Sequence, residues 1–280
     1  MGEIIACANQ KGGVGKTTTV VSLASYLALD GHSVLLVDMD PQGNATSGLG
    51  IDRAAVESSV YDVLLAGALV QDVVRDTGVR RLSVLPSDRS LAGAEVELVP
   101  SSARERRLKQ VLQLAEEEYD FILLDCPPSL GLLTVNSLTA ADSVLIPLQC
   151  EYYALEGLGQ LVATIELIRE HLNPDLELKG AILTMHDGRT SLSADVTAEV
   201  RRHLGAQVFE AVVPRSVRLA EAPSYGQPIA QYSPGSRGAL AYQALTAELL
   251  VRSGRLPSVA LRDARDRNEI PRSAQAGEVS

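Results

Sequence analysis

The chain has 280 residues, a formal net charge of −10 and 46% apolar residues, yet only two Phe, eight Tyr and no Trp. That length fits one large α/β domain or two small ones, and a core so poor in aromatics must be built from Ala, Val, Leu and Ile, as buried parallel sheets and their covering helices are. No apolar run reaches the roughly 18 residues of a membrane span, the acidic balance argues against a general nucleic-acid binder, and three widely spaced cysteines argue against a disulfide framework and for a reducing compartment.

Strand and helix patterns alternate from the first residues onward. The N-terminus has no signal-peptide layout and goes straight into "EIIACA" (3–8), which reads as a buried strand. A helix is predicted from Lys16 to Leu29, stopped by Asp30-Gly31, and "SVLLVD" (33–38) is a second strand. Residues 40–50 are glycine-rich and polar, hence loop; 60–67 form a short helix and 81–87 a strand. An amphipathic helix over 103–119 leads to the strand "FILLD" ending at Asp125. A helix over 131–140, a strand over 142–148, a helix over 155–172 and a strand over 178–184 follow. The pattern closes with a helix over 192–204, a strand over 208–214 and a helix over 238–252. Such alternation predicts a single-domain α/β fold with a mostly parallel twisted sheet and helices on both faces. The domain is assigned residues 1–253. Residues 254–280 mix charges with Pro, Ser and Gly and read as a disordered tail.

Cys7, Cys126 and Cys150 read as small buried hydrophobes. Charge is uneven: residues 181–240 hold six Arg against five acids, a local balance of +1 that leaves −11 on the rest.

The loop between the first strand and first helix, "ANQKGGVGKTTTV", carries a phosphate-binding signature in the strand–loop–helix context the motif requires. Gly12, Gly13, Val14 and Gly15 let backbone N–H groups close around phosphate oxygens. The helix starting at Lys16 points its positive end at the same anion. Lys16 is placed to reach the β and γ phosphates, the Thr17 hydroxyl to ligate Mg²⁺, and Thr18 to touch the α-phosphate. A dinucleotide site is excluded because no G-x-G-x-x-G is present. The loop departs from the common G-x-x-x-x-G-K-[ST] form: Gln10 stands where the first glycine should be, and a second lysine, Lys11, follows. Lys11 is either a solvated surface lysine or a charge that completes the active site of a neighbouring copy, acting on developing phosphoryl charge as an arginine finger does.

Carboxylates follow two strands where open parallel sheets place ligands. Asp38 and Asp40 leave one strand end at i and i+2, and Asp125 ends another. A Mg²⁺–nucleotide site needs oxygen ligands, often through water, and a group to orient the attacking water. Asp125 has the layout of a metal-partner aspartate.

K-G-G-V-G-K-T-T, residues 11–18, resembles the deviant Walker A signature of the ParA/MinD family of ATPases. The resemblance covers roughly residues 2–252. It implies that Lys11 contacts nucleotide in the partner of an ATP-bound homodimer. It also implies that the D-x-D-P-Q segment is a switch, with Asp38 in the metal's water network and Asp40 positioning the lytic water. No guanine-reading N-K-x-D motif is present, so ATP with Mg²⁺ is favoured. The family's adenine pocket lies near a Pro-Arg-Asn segment; here Pro214 and Arg215 are followed by Ser216.

Among the branches, the tail lacks the apolar face of a MinD-like membrane helix. No second cysteine is placed to share a cluster with Cys126, and no room precedes the first strand for a helix-turn-helix domain. The remainder resembles short ParA/Soj-type partition ATPases. That resemblance implies a cytoplasmic, nucleoid-associated homodimer without membrane attachment, which binds double-stranded DNA non-specifically and is stimulated by a ParB-type partner. Arg189 and Arg218 match the DNA-contacting positions, and phosphate contacts need only positive groups in a row. A MinD-like or other cargo-positioning ATPase that does not use DNA is the alternative; a small-molecule ligase or kinase on the same scaffold is a third.

Overall fold

The computed structural model describes residues 2–151 and 154–268. Along the chain, β1 (Glu3–Cys7) leads into α1 (Lys16–Leu29) and β2 (Val34–Asp38). α2 (Asn44–Gly48) and α3 (Val70–Val73) precede the short β3 (Arg75–Asp76) and β4 (Leu82–Leu85). α4 (Leu91–Glu97) and α5 (Arg107–Leu112) lead to β5 (Phe121–Asp125), α6 (Leu132–Ala140), β6 (Ser143–Gln149), α7 (Ala154–His171), β7 (Glu177–Thr184) and α8 (Ser191–Leu204). The last part is helical: α9 (Val217–Glu221), α10 (Ile229–Tyr232), α11 (Arg237–Arg252) and α12 (Val259–Asn268).

The strands form one sheet in the order β3-β4-β2-β5-β1-β6-β7. Every pairing is parallel except the short β3–β4 edge. Side chains alternate across each strand, so the strands feed two cores. Ile4, Ala6, Leu35, Val37, Ile122, Leu124, Val144 and Ile146 face a core closed by α5, α6, α7 and α8. Ile5, Cys7, Val34, Leu36, Phe121, Leu123 and Leu145 face a second, closed by α1 and α11. Helices on both faces leave the strands almost wholly apolar, as their sequences require. α1 is buried along most of its length, and Thr19 shares a 3.0 Å hydrogen bond with the Tyr242 hydroxyl of α11. All three cysteines are buried and unbridged.

Four expectations need correction. Residues 208–214 form no strand: the chain bends at Glu210 and Ala211 and makes only isolated bridges, Ala181 with Val208 and His186 with Pro214. The Glu248 carboxylate takes the N–H groups of Glu210 and Ala211, so a side chain replaces the missing strand partner there. The helix expected over 103–119 breaks into α5 and flanking 3₁₀ turns, with Ala103 at a left-handed φ of 56°. The loop expected over 40–50 contains α2, started from Gly43 at φ 60°. The segment expected as a tail carries α12 as far as residue 268. α12 packs on α11 with Leu261 buried, Ser258 N donates to Asp30, and the Arg255 guanidinium lies 4.3 Å over the Phe121 ring. Residues 269–280 lie outside the described residues.

Candidate nucleotide-binding site

Residues 8–15 join the end of central β1 to the start of α1, and three neighbours hold this loop in shape. Ala8 N donates to Leu145 O at 3.0 Å, and Asn9 Nδ2 to Pro147 O at 2.7 Å, both from the β6 side. Asn9 Oδ1 accepts from Lys11 N at 2.9 Å. At the end of β7, Thr184 Oγ1 donates to Val14 O at 2.8 Å. Gly13 and Gly15 sit at φ 75° and 89°, a region that L side chains rarely adopt. No side chain caps α1 and no acid lies in its first turn, so its positive end is left to an outside anion. Lys16 is 7% exposed and its Nζ donates to Lys11 O at 3.3 Å, which folds the side chain back over the loop.

Sheet register brings the acids together. Asp125 is paired in register with Cys7 on one side and Asp38 on the other, so both carboxylates stand at the strand ends beside the loop. Both are fully buried. Asp38 Oδ2 accepts from Thr46 N and Oγ1 at 2.8 and 2.7 Å, and Oδ1 from Asp40 N at 3.2 Å. Asp125 has no hydrogen-bond partner on either oxygen. Burial pushes both carboxyls above their ordinary range; the Asp38 charge raises Asp125 further, while the nearby Thr17 hydroxyl and Lys16 oppose the shift. Asp40 is 7% exposed; its Oδ1 accepts from Gln42 N at 2.9 Å and its carbonyl from Ser87 Oγ at 2.8 Å.

Among the described residues no three His, Cys, Asp or Glu gather to hold a metal by themselves. That donor set fits Mg²⁺, which keeps its waters and takes one or two protein oxygens plus phosphates. The two unpaired oxygens of Asp125, next to Thr17, are what such an ion would use.

Lys11 does not join this cluster. Its Nζ lies 3.3 Å from Glu151 Oε2, and the side chain is 37% exposed. Arg215 approaches the same carboxylate at 3.9 Å. Pro214 bridges to His186, and Ser216 stands just before α9 without capping it. Neither lines the cavity of about 290 Å³ beside the loop, whose walls include Thr17, Thr18, Ser22, Asn44, Leu219 and Pro223. Arg189 and Arg218 are exposed on segments that meet at that bridge.

Sequence reasoning missed Asn9, Thr46, Ser87, Thr184 and Glu151. Thr46 and Ser87 are linked, Ser87 N donating to Thr46 Oγ1 at 3.0 Å, and together they set the positions of Asp38 and Asp40. The one available signal was position, since Ser87 and Thr184 stand at or just past the C-terminal ends of strands, beside the loop.

Residues 2–178 match the family model described as an AAA domain. Over 249 residues the chain is 57% identical to the sporulation initiation inhibitor protein Soj of Bacillus subtilis (strain 168), covering 89% of this chain and 98% of that one. It is 54% identical over 252 residues to the chromosome partitioning protein ParA of Myxococcus xanthus (strain DK1622), covering 90% and 89%. A crystal structure of cobyrinic acid a,c-diamide synthase from Mycobacterium smegmatis with bound ADP and magnesium aligns with a TM-score of 0.80 at 40% identity, over 92% of this chain and 99% of that one. Identity this high over nearly the whole length of Soj and ParA proteins places the chain among the ParA/Soj-type chromosome-partition ATPases, in the ParA/MinD family of P-loop ATP hydrolases.

Proposed function

We propose that the chain is an ATP-driven dimerisation switch that grips DNA in its closed state. ATP binds with its phosphates in the loop of Gly12, Gly13, Val14 and Gly15, under Lys16 and Thr18. Thr17 and Asp125 would hold Mg²⁺, which would neutralise charge on the phosphates, with Asp38 in the surrounding water network and Asp40 orienting the water that attacks the γ-phosphate. The observation that carries this reading is Asp125, buried with two unpaired oxygens beside Asp38 and Lys16. A buried carboxylate left without partners is costly in an empty site and is relieved by a cation. The base lies on the side of Pro214 and Ser216, apart from the cavity walled by Thr18 and Leu219, which neither residue lines.

Lys11 acts in trans. Its half-exposed side chain, paired with Glu151 rather than with Asp38 or Asp125, supports a role outside its own metal site. In the closed homodimer it reaches the partner's γ-phosphate, where it stabilises charge that develops on transfer. Two copies double the row of arginines that includes Arg189 and Arg218, and the doubled row binds double-stranded DNA through its phosphates, without sequence preference and with strong salt dependence. A ParB-type partner stimulates hydrolysis and releases the dimer. This reading implies a nucleoid-associated protein of the cytoplasm without membrane attachment. Among the described residues no helix is long and apolar enough to cross a membrane.

The test is DNA co-sedimentation with ATP, with ADP and without nucleotide. Retention in ATP alone is expected, with Arg189→Glu and Arg218→Glu dimerising but not retained; equal retention in all three states would sink the switch. The name of the 40% identical structure favours a second reading, a small-molecule amide-forming synthase. A chain of that kind would hydrolyse ATP only with an acid acceptor present and would show no nucleotide-dependent retention on DNA.

A further inference from the structure

The basic groups on the proposed DNA face are already paired with acids of the same chain. Arg189 Nε and Nη2 donate to Oδ1 and Oδ2 of Asp187 at 2.9 and 2.7 Å, a two-pronged contact. Arg218 Nη1 donates to Glu221 Oε2 at 2.9 Å, and that oxygen also accepts from the Tyr232 hydroxyl at 3.0 Å. The segments carrying them are tied together: His186 N donates to Val213 O at 3.0 Å and Arg215 N to His186 O at 3.1 Å.

The Asp187–Arg189 pair is the better built of the two. The Arg189 side chain is 88% exposed, whereas that of Asp187 is 25% exposed. Asp187 is fixed by its surroundings: its N donates to Ser193 Oγ at 3.3 Å, its Oδ1 accepts from Arg189 N at 3.1 Å, and its carbonyl accepts from Thr190 N and Oγ1 at 3.1 and 3.0 Å. The carboxylate is therefore anchored and the guanidinium is the member free to swing. A guanidinium fork matches a carboxylate and a phosphate with the same geometry, so it grips only one of them in this way at a time.

We infer that Asp187 is a built-in competitor for DNA phosphate, which holds Arg189 in reserve so that one chain binds DNA poorly and only the doubled row of a dimer retains it. The inference rests on the DNA reading above. Each arginine must leave its own carboxylate, and that carboxylate then faces the DNA uncompensated. The cost falls on every contact, so a row with few contacts fails where a row with twice as many succeeds. Asp187 thereby lowers affinity in both states and keeps the single chain below retention, without touching nucleotide.

The test titrates the full chain onto a short random-sequence duplex over a range of salt, with a non-hydrolysable ATP analogue and with ADP. Asp187→Asn keeps an oxygen for Arg189 N and removes the charge; Asp187→Ser gives the same direction by a different route. Both are expected to bind about fivefold tighter in the ATP state, from releasing one exposed pair on each chain, and to show measurable binding with ADP. The gain should vanish in an Arg189→Ala background, and Asp195→Asn, the same charge change on the following helix α8, should give less. Gain no larger than that of Asp195→Asn, or a gain that survives loss of Arg189, overturns the inference while leaving DNA binding in place. If the wild-type chain is not retained on DNA at low salt, the DNA reading fails and the inference with it.

Discussion

Asp125 concentrates the trade between stability and function. It is fully buried, without a hydrogen-bond partner, and next to a second buried acid. A carboxyl whose folded pKa lies above its unfolded value stabilises the fold below the unfolded pKa, and that contribution is lost as pH rises through the folded pKa. Asp38 and Asp125 are both raised, so the nucleotide-free chain should lose stability as pH climbs from about 4 toward neutrality. Asp125→Asn removes one of these charges. Its nucleotide-free melting temperature at neutral pH should rise by about 2–4 °C, for a gain near 1 kcal/mol, with a flatter dependence on pH, while Mg²⁺-dependent turnover is lost. A lower melting temperature than wild type would mean that the carboxylate is satisfied in the empty site. At the loop, Lys16→Ala should abolish nucleotide binding in a calorimetric titration. Asp40→Ala should leave binding intact and slow turnover by about 10²- to 10³-fold; normal turnover would remove Asp40 from the hydrolytic step.

Single elements are positioned by a few close contacts. The turn after α9 crosses to α2, where Gly226 and Gly50 both have positive φ and a Cβ on Gly226 would lie 2.9 Å from Gly50 Cα. Gly226→Ala should therefore cost about 1–3 kcal/mol, read as a lower melting temperature, and loosen the wall that Leu219 and Pro223 give the cavity. An unchanged melting temperature would show that the two segments separate at no cost. The regular elements were legible in the sequence: α1 begins at Lys16 and ends at Leu29 as the glycines and the Asp30-Gly31 stop imply. The phosphate loop, the strand-end Asp38 and Asp125, and Asp40 just past β2 were legible in position for the same reason, since motif and strand end coincide. What was not legible depends on partners distant in sequence. "VFEAVVP" has a strand's composition, but Glu248, on α11, intercepts its N–H groups. Leu261 sits in a segment too polar to predict as packed, yet docks beside α11 through neighbours near residues 30 and 120. Thr46 and Ser87 carry no motif, and their place under Asp38 and Asp40 follows only from the β2–β4 pairing.

At the scale of the whole molecule, one chain brings together the phosphate loop, the buried Asp38 and Asp125 and a cavity, while Lys11 pairs with Glu151. That division is what a site shared between two copies requires: the lysine is available to a neighbour, and its ion pair, partly exposed on both sides, is weak enough to exchange. In the proposed function, DNA retention, stimulation by a partner and release would all follow from whether ATP brings two such chains together. Molar mass by light scattering, with a non-hydrolysable ATP analogue and Mg²⁺, is the decisive reading. Wild type should double in mass while Lys11→Ala stays a single chain with its nucleotide bound; a wild type that remains single, or a Lys11→Ala chain that pairs and hydrolyses ATP like wild type, would refute the role in trans.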